Sequence, residues 1–168
     1  MDAALLRELQ APLKTKYRDD PTAALVTLKA EGDLDAEGIA CKLDTGRALV
    51  EAGLHPATGG SGLSACSGDM LLEALAACAG VTLSAVATAL EIPLRSGKIK
   101  VEGDLDFRGT LGVAKDALVG FKDIRLSFAL DSDASEDQLA TLIKLTERYC
   151  VVYQTLRNPP PLALAWNR

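Results

Sequence analysis

Hydrophobic and polar positions change period several times along this chain, and each change marks an element. Two segments alternate strictly. In "KIKVEGDLDFRG", Ile99, Val101, Leu105 and Phe107 alternate with Lys100, Glu102, Asp104, Asp106 and Arg108. "DIRLSFALD" does the same through Ile124, Leu126, Phe128 and Leu130, with "TLGVAKDALVGF" as the link. A period of two predicts strands with one buried face. Upstream, Val26, Leu28 and Ala30 of "ALVTLKA" share a side, and Ile39, Cys41 and Leu43 alternate with Ala40, Lys42 and Asp44. These predict two more strands, with "EGDLDAEG" as their hairpin connection.

Between the strand blocks the pattern becomes helical. "MLLEALAACAGVTLSAVATAL", residues 70–90, carries one charge, Glu73. Ser67 is a suitable N-cap, and Asp69 falls in the first turn, where the helix dipole favours an acid. A second helix is predicted over "SEDQLATLIKLTERYC", with a capping box from Ser135 to Gln138 and an apolar face of Leu139, Leu142, Ile143 and Leu145. A short helical turn follows Cys150 and must stop before Pro159, Pro160 and Pro161. "LALAW" is expected to close a sheet edge. Near the start, Leu5, Leu6, Leu9 and Leu13 make a partial stripe interrupted by Pro12. Residues 1–21 thus read as an N-terminal helical arm and 22–168 as the domain proper. The order is two strands, a central helix, two or three strands, a helix and a last strand. It predicts an α+β fold with antiparallel sheets packed around a buried central helix. One domain of this length does not easily surround so apolar a helix, so a partner subunit is expected to cover part of it.

Composition narrows the function. The net charge is −5 and only 4% of residues are aromatic. Phosphate backbones require a basic face, and single strands also require stacking rings, so nucleic acid is not an expected partner. Residues 70–90 approach the length of a membrane span, but the run is rich in Ala, Ser and Thr, contains an acid and has no aromatic belt. The core reading is preferred to membrane insertion. The N-terminal stretch has early charges at Asp2, Arg7 and Glu8 and no apolar run, so no signal peptide is expected. With four cysteines, that predicts free thiols in the cytoplasm.

The cysteines carry the candidate chemistry. None has a partner at metal-ligand spacing, so no metal site is expected. Cys78 lies inside the apolar helix, sharing a face with Leu71, Ala74, Leu75, Thr82 and Ala85. It reads either as a small buried hydrophobe or as a redox thiol. Cys150 ends one helix and starts another turn, where oriented N–H groups favour thiolate, with Arg148 nearby in sequence. Cys41 fits a structural place in a strand, and Cys66 stays unassigned. His55, the only histidine, sits among Pro and Gly as a plain loop residue, which leaves a hydrolase without an obvious base. "GSGLSA" matches a dinucleotide pattern only formally, since no strand is expected before it. Asp69 is accounted for by the helix start, whereas Glu73, if buried, needs a cationic partner.

Two of these segments together resemble the OsmC/Ohr family, the osmotically induced and organic-hydroperoxide-resistance proteins. "GDMLLEALAACAGVTLSAVA" is similar to the family's central helix, and "ERYCVVYQTLR" to its second-cysteine motif, with Cys78 and Cys150 72 residues apart. The resemblance covers residues 22–168, an OsmC-like domain. It implies an intertwined homodimer and a two-cysteine peroxidase acting on organic hydroperoxides. Cys78 would become a sulfenic acid and condense with Cys150. An external dithiol, lipoyl or thioredoxin-like, would reduce the disulfide, with no bound cofactor. Asp69 and Glu73 would belong to the surroundings of the Cys78 thiolate. The chain departs from the family pattern in having Val151 where proline usually follows the second cysteine. It has no arginine in "ALVTLKAEGDL", and Lys29 and Arg47 are the nearby cations. A binding or sensing protein on the same fold, with an apolar pocket at the dimer interface, is the alternative. A structural dimer with incidental cysteines is the third reading.

Overall fold

A computed structural model describes residues 50–167 apart from Val113, the backbone of residues 31–34, 40–44 and Leu49, and scattered positions between residues 2 and 19. Four strands form one sheet in chain order: β1 (Glu31–Leu34), β2 (Ala40–Asp44), β3 (Leu49–Gly53) and β4 (Ala65–Cys66). β1 and β2 are antiparallel with Leu34 opposite Cys41, and β2 and β3 are antiparallel with Cys41 opposite Ala52. The two-residue β4 runs parallel to β3, Cys66 beside Gly53.

This arrangement corrects part of the sequence reading. β1 occupies the first half of "EGDLDAEG", which the pattern assigns to a hairpin connection. Glu31, Gly32 and Asp33 have poor strand propensity, but each finds a register partner in β2, and pairing overrides a weak local preference. The strand expected at "ALVTLKA" lies outside the described residues, as does most of the N-terminal arm. Of that arm, residues 3–5 are helical, and Asp2 accepts the Leu5 N–H at 2.8 Å. β3 has no counterpart in the expected elements.

β4 hands the chain directly to α1 (Ser67–Ala89), which buries a stripe of Leu75, Ala79, Leu83 and Ala87. The four-residue spacing puts these side chains one above another. The helix stops in a left-handed turn: Glu91 takes φ 57°, and the Ile92 N–H donates to the Ala87 carbonyl at 2.9 Å. That six-to-one bond is a Schellman closure, and it turns Ile92 into the core. The opposite side of α1 is open in the single chain, with Val81 72% exposed. α1 is long and apolar enough to cross a membrane by length and composition only, a test that a core helix also passes.

β5 (Ser96–Leu105) and β6 (Phe121–Asp131) form a second, two-stranded sheet. Arg95 pairs with Asp131 at one end and Arg125 with Asp104 at the other, so the strands run antiparallel. Phe107, expected as the last strand position, begins the short α2 (Phe107–Thr110). Asp106 accepts the Arg108 N–H at 3.1 Å and its guanidinium through Nε, a cap that ends the strand. α3 (Glu136–Tyr149) carries the expected capping box, and α4 (Val151–Arg157) follows after Cys150 alone. Residues 159–167 form no strand, and Leu162, Leu164 and Trp166 are exposed. Three consecutive prolines lead into this segment without N–H donors, so "LALAW" closes no described sheet edge.

The chain divides into two compact units. One takes Met1–Arg7, Ala74–Ile99 and Ser127–Arg168, the other Glu8–Glu73 and Lys100–Leu126. The core of the first is Leu83, Ala87, Ile92 and Leu142, with Val86, Phe128, Leu139 and Ile143 packed around it. In the second, the Phe121 ring covers Gly103, where a Cβ would come within 2.6 Å of it.

Candidate active site

The first unit brings Cys78 and Cys150 together. Cys78 sits midway along α1, with Thr82 one turn on and on the same face. Cys150 is the single non-helical residue between α3 and α4, with φ −70° and ψ 107°. Its N–H still donates to the Thr146 carbonyl at 2.9 Å, and its carbonyl accepts the Gln154 N–H at 2.9 Å. The chain therefore turns sharply there, and the first amides of α4 face the sulfurs. Cys150 is 1% exposed, whereas Cys78 is only half-buried and open to a small reagent.

Burial pushes the Cys78 thiol up, but the Val152 N–H, the Cys150 thiol, the Thr82 hydroxyl and the Val151 N–H pull it down and together outweigh burial. Its pKa lies below the ordinary thiol value. Cys150 moves the other way. Burial raises it, and the hydrogen bond it gives to Cys78 and the charge of that neighbour raise it further, against the Tyr153 and Val152 amides. The local reading favours thiolate at Cys150, at the helix start, whereas burial and its neighbour raise Cys150, and Cys78 is the thiol held below the ordinary value. The sequence places Cys150 before the amides, while the fold aims two of them across at α1. Arg148, expected as the helping cation, lies instead over the Tyr149 ring, 5.6 Å from its centroid.

Asp69 and Glu73 both stand exposed on the first turns of α1. Nine and five residues before Cys78, they lie about 180° and 140° around the helix from it, at about 100° per residue. Neither contributes to the donors at the sulfur, and no described cation pairs with them. Lys29 and Arg47 lie outside the described residues. Cys66 ends β4 as a free, half-buried thiol, and the Cys41 side chain is not among those described.

The remaining candidates have structural work. The His55 Nδ1 accepts the Ala57 N–H at 3.0 Å, and the ring stacks on Phe107 with centroids 4.9 Å apart. In "GSGLSA", Gly62 takes φ +78°, and a Cβ on Gly60 would stand 1.7 Å from the Leu54 carbonyl oxygen. Backbone geometry thus explains the glycines. A surface groove of about 590 Å³ between Ser96–Lys98 and Ala129–Asp131 includes neither thiol in its lining.

Sequence reasoning missed Thr82 and the two amides as functional groups. Thr82 was visible on the face of Cys78; the amides have no side-chain signature. Together the groups make a nucleophile-bearing site: an acidified, reachable thiol beside a protonated one able to resolve it.

The family model described as OsmC-like protein matches residues 59–165, more than half of the chain. Among curated proteins, none matches. An OsmC-like protein from Mycoplasma pneumoniae superposes with TM-score 0.66 at 19% identity, covering 80% of this chain and 89% of that one. An organic hydroperoxide resistance protein OsmC from Legionella pneumophila gives 0.62 at 18%, covering 80% and 92%. An organic hydroperoxide resistance protein from Elizabethkingia anophelis, with thiocyanate bound, gives 0.60 at 18%, covering 81% and 91%. At these identities the likeness shows the fold, an α+β architecture with antiparallel sheet.

Proposed function

From a chain that belongs to the OsmC-like protein family, we infer a thiol-dependent peroxidase that reduces organic hydroperoxides. The observation that carries this reading is a pair of free, unlike thiols in one compact unit, the half-buried Cys78 of α1 held below and the buried Cys150 of the α3–α4 joint held above the ordinary value. The Cys78 thiolate attacks the terminal peroxide oxygen, the O–O bond breaks, and the alkoxide leaves and takes a proton to become the alcohol. Cys78 is now a sulfenic acid. The Cys150 sulfur attacks it, a Cys78–Cys150 disulfide forms, and the sulfenic oxygen departs as water after taking up the thiol proton. An external dithiol, lipoyl or thioredoxin-like, reduces the disulfide and is itself oxidised. No cofactor is needed.

The apolar flank of α1 beside Cys78 favours bulky organic peroxides over hydrogen peroxide. Its open side, with Val81 72% exposed, supports a homodimer as the working form. Free thiols at Cys66, Cys78 and Cys150 suit a cytoplasmic setting. The same open face supports the second reading, a binding or sensing protein holding an apolar ligand at a dimer interface.

The test is consumption of cumene hydroperoxide against hydrogen peroxide with a small dithiol, for wild type, Cys78→Ser and Cys150→Ser. The expected result is saturable turnover of the organic peroxide and loss of two thiols per equivalent, both abolished by Cys78→Ser. Wild-type consumption no faster than that of Cys78→Ser would remove the peroxidase reading and leave the ligand-binding one.

A further inference from the structure

Cys150 opens α4 as its N-cap residue, yet its side chain makes no capping hydrogen bond. A thiol is a poor cap beside the hydroxyls, amides and carboxylates preferred there. α4 is also only seven residues long, too short to be stable in water by itself. The contacts that hold it run back across the joint to one residue in the last turn of α3, Glu147. The Gln154 side chain donates through Nε2 to the Glu147 carbonyl at 2.8 Å, in a half-buried setting. That carbonyl is one of the last four of α3, which lack a partner inside their own helix. The Gln154 Oε1 accepts from Asn158 Nδ2 at 3.3 Å, which orients the amide. Arg157, three residues on and on the same face of α4, pairs with the Glu147 carboxylate. Gln154 also donates its own N–H to the Cys150 carbonyl at 2.9 Å. It therefore holds Cys150 by its main chain and reaches past it to α3 by its side chain.

We propose that Gln154 is a positioning residue for Cys150: its side chain clamps α4 onto Glu147 of α3 and so sets the resolving thiol in place before it reacts. That Cys150 resolves rests on the peroxidase reading; the clamp rests on the hydrogen bonds. Of the two side-chain contacts, the Gln154 amide carries the larger share. Both ends of the Arg157–Glu147 pair are exposed, where an ion pair contributes little. The amide bond is half-buried, and losing its donor would leave the Glu147 carbonyl unsatisfied. Holding a reacting group in place beforehand removes ordering that bond formation would otherwise have to supply. The cysteine it serves is 1% exposed and shares its compact unit with the half-buried Cys78. When the two close, their thiols give up two protons and two electrons and one S–S bond forms; Gln154 exchanges nothing.

The experiment equilibrates the reduced full chain with oxidised and reduced glutathione, without peroxide, and reads the Cys78–Cys150 disulfide by peptide mass spectrometry after acid quenching. Oxidised glutathione takes the two electrons and becomes two thiols. Gln154→Leu keeps the bulk and removes the amide; it should lower the equilibrium constant for the disulfide about fivefold, the scale of one net hydrogen bond. Gln154→Lys returns a donor at similar reach and should restore most of that loss. Arg157→Leu should lower the constant less than Gln154→Leu does. A wild-type constant in Gln154→Leu, even with a lower melting temperature, would make the contact structural only and overturn the proposal. A loss that Gln154→Lys does not restore would overturn it too. The expected shifts in a protein that consumes no hydroperoxide would uphold the clamp and remove the peroxidase reading instead. A wild type that forms no such disulfide would overturn both.

Discussion

Cys150 stands beside Cys78, and burial, the Val152 amide and the mutual influence of the two thiols set the acidities of two chemically identical groups apart. Cys78 is held below the ordinary thiol value, and burial and the charge of that neighbour hold Cys150 above it. The pair therefore titrates as a unit. Cys150→Ala removes the neighbouring thiol and should move the Cys78 alkylation profile to higher pH. In wild type, Cys78 should label at a lower pH than Cys150. Labelling in the reverse order, in a pH series with the modified peptides identified, would contradict the assignment.

Leu142 is fully buried in the core with Leu83, Ala87 and Ile92. Leu142→Ala should lower stability by about 3 kcal/mol, from lost burial and the cavity left behind. The denaturant midpoint in urea checks this, and an unchanged slope would show that the unfolded state is not involved.

Ser135 and Gln138 satisfy each other's backbone donors at the start of α3, at 3.3 and 2.9 Å. Ser135→Ala should cost about 1 kcal/mol. Because α3 leads to Cys150, the same variant should reach the thiols only if the cap fixes the junction. Thermal unfolding and Cys78 alkylation, measured together, separate local fraying from a change at the site.

Gly60 lets its backbone pass the Leu54 carbonyl so closely that a Cβ would overlap the oxygen. Its partner there is backbone, which no rotamer change relieves. Gly60→Ala should destabilise by about 1–3 kcal/mol, the ordinary scale of overpacking. A variant as stable as wild type in urea would show that the loop repacks without strain.

Arg108 beside Asp106 holds that carboxyl down to about 2, from an ordinary value of 3.8. A depressed carboxyl adds stability that is fully present above its unfolded value and is lost as pH falls through the folded one. The contribution should therefore hold above pH 4 and fade towards pH 2. Comparing Asp106→Asn with wild type across that window isolates it, since the variant should lack this part of the acid dependence.

Much of the fold was legible because its signals are periodic. β5 and β6 alternate over ten and eleven residues, and α3 announces itself with a capping box. β1 and β3 were illegible for the opposite reason: four and five residues, short of clear alternation, defined by partners rather than by their own side chains. Cys78 and Cys150 could be singled out as thiols in unlike settings, but not which would be the acid. That depends on where the amides of Val151 and Val152 point, and main-chain direction leaves no mark on side-chain pattern. Thr82 was legible as a neighbour on the Cys78 face, but as one more small residue in an apolar run it carried no signal of its own.

Cys150 is also a joint. This one residue closes α3 by donating its N–H to the Thr146 carbonyl and opens α4 by accepting the Gln154 N–H, with no linker between the helices. The atom that would change covalent partner in each cycle is thus bolted to the pivot of two rigid rods. Tying its sulfur to Cys78 must be absorbed as torque at that pivot, while α3 stays anchored by Leu142. Amide exchange across residues 150–158 should differ between oxidised and reduced protein more than exchange along α3 does, and equal exchange would show that the pivot is decoupled. Differing exchange would give the chemical state of the sulfurs a mechanical readout along the seven residues of α4.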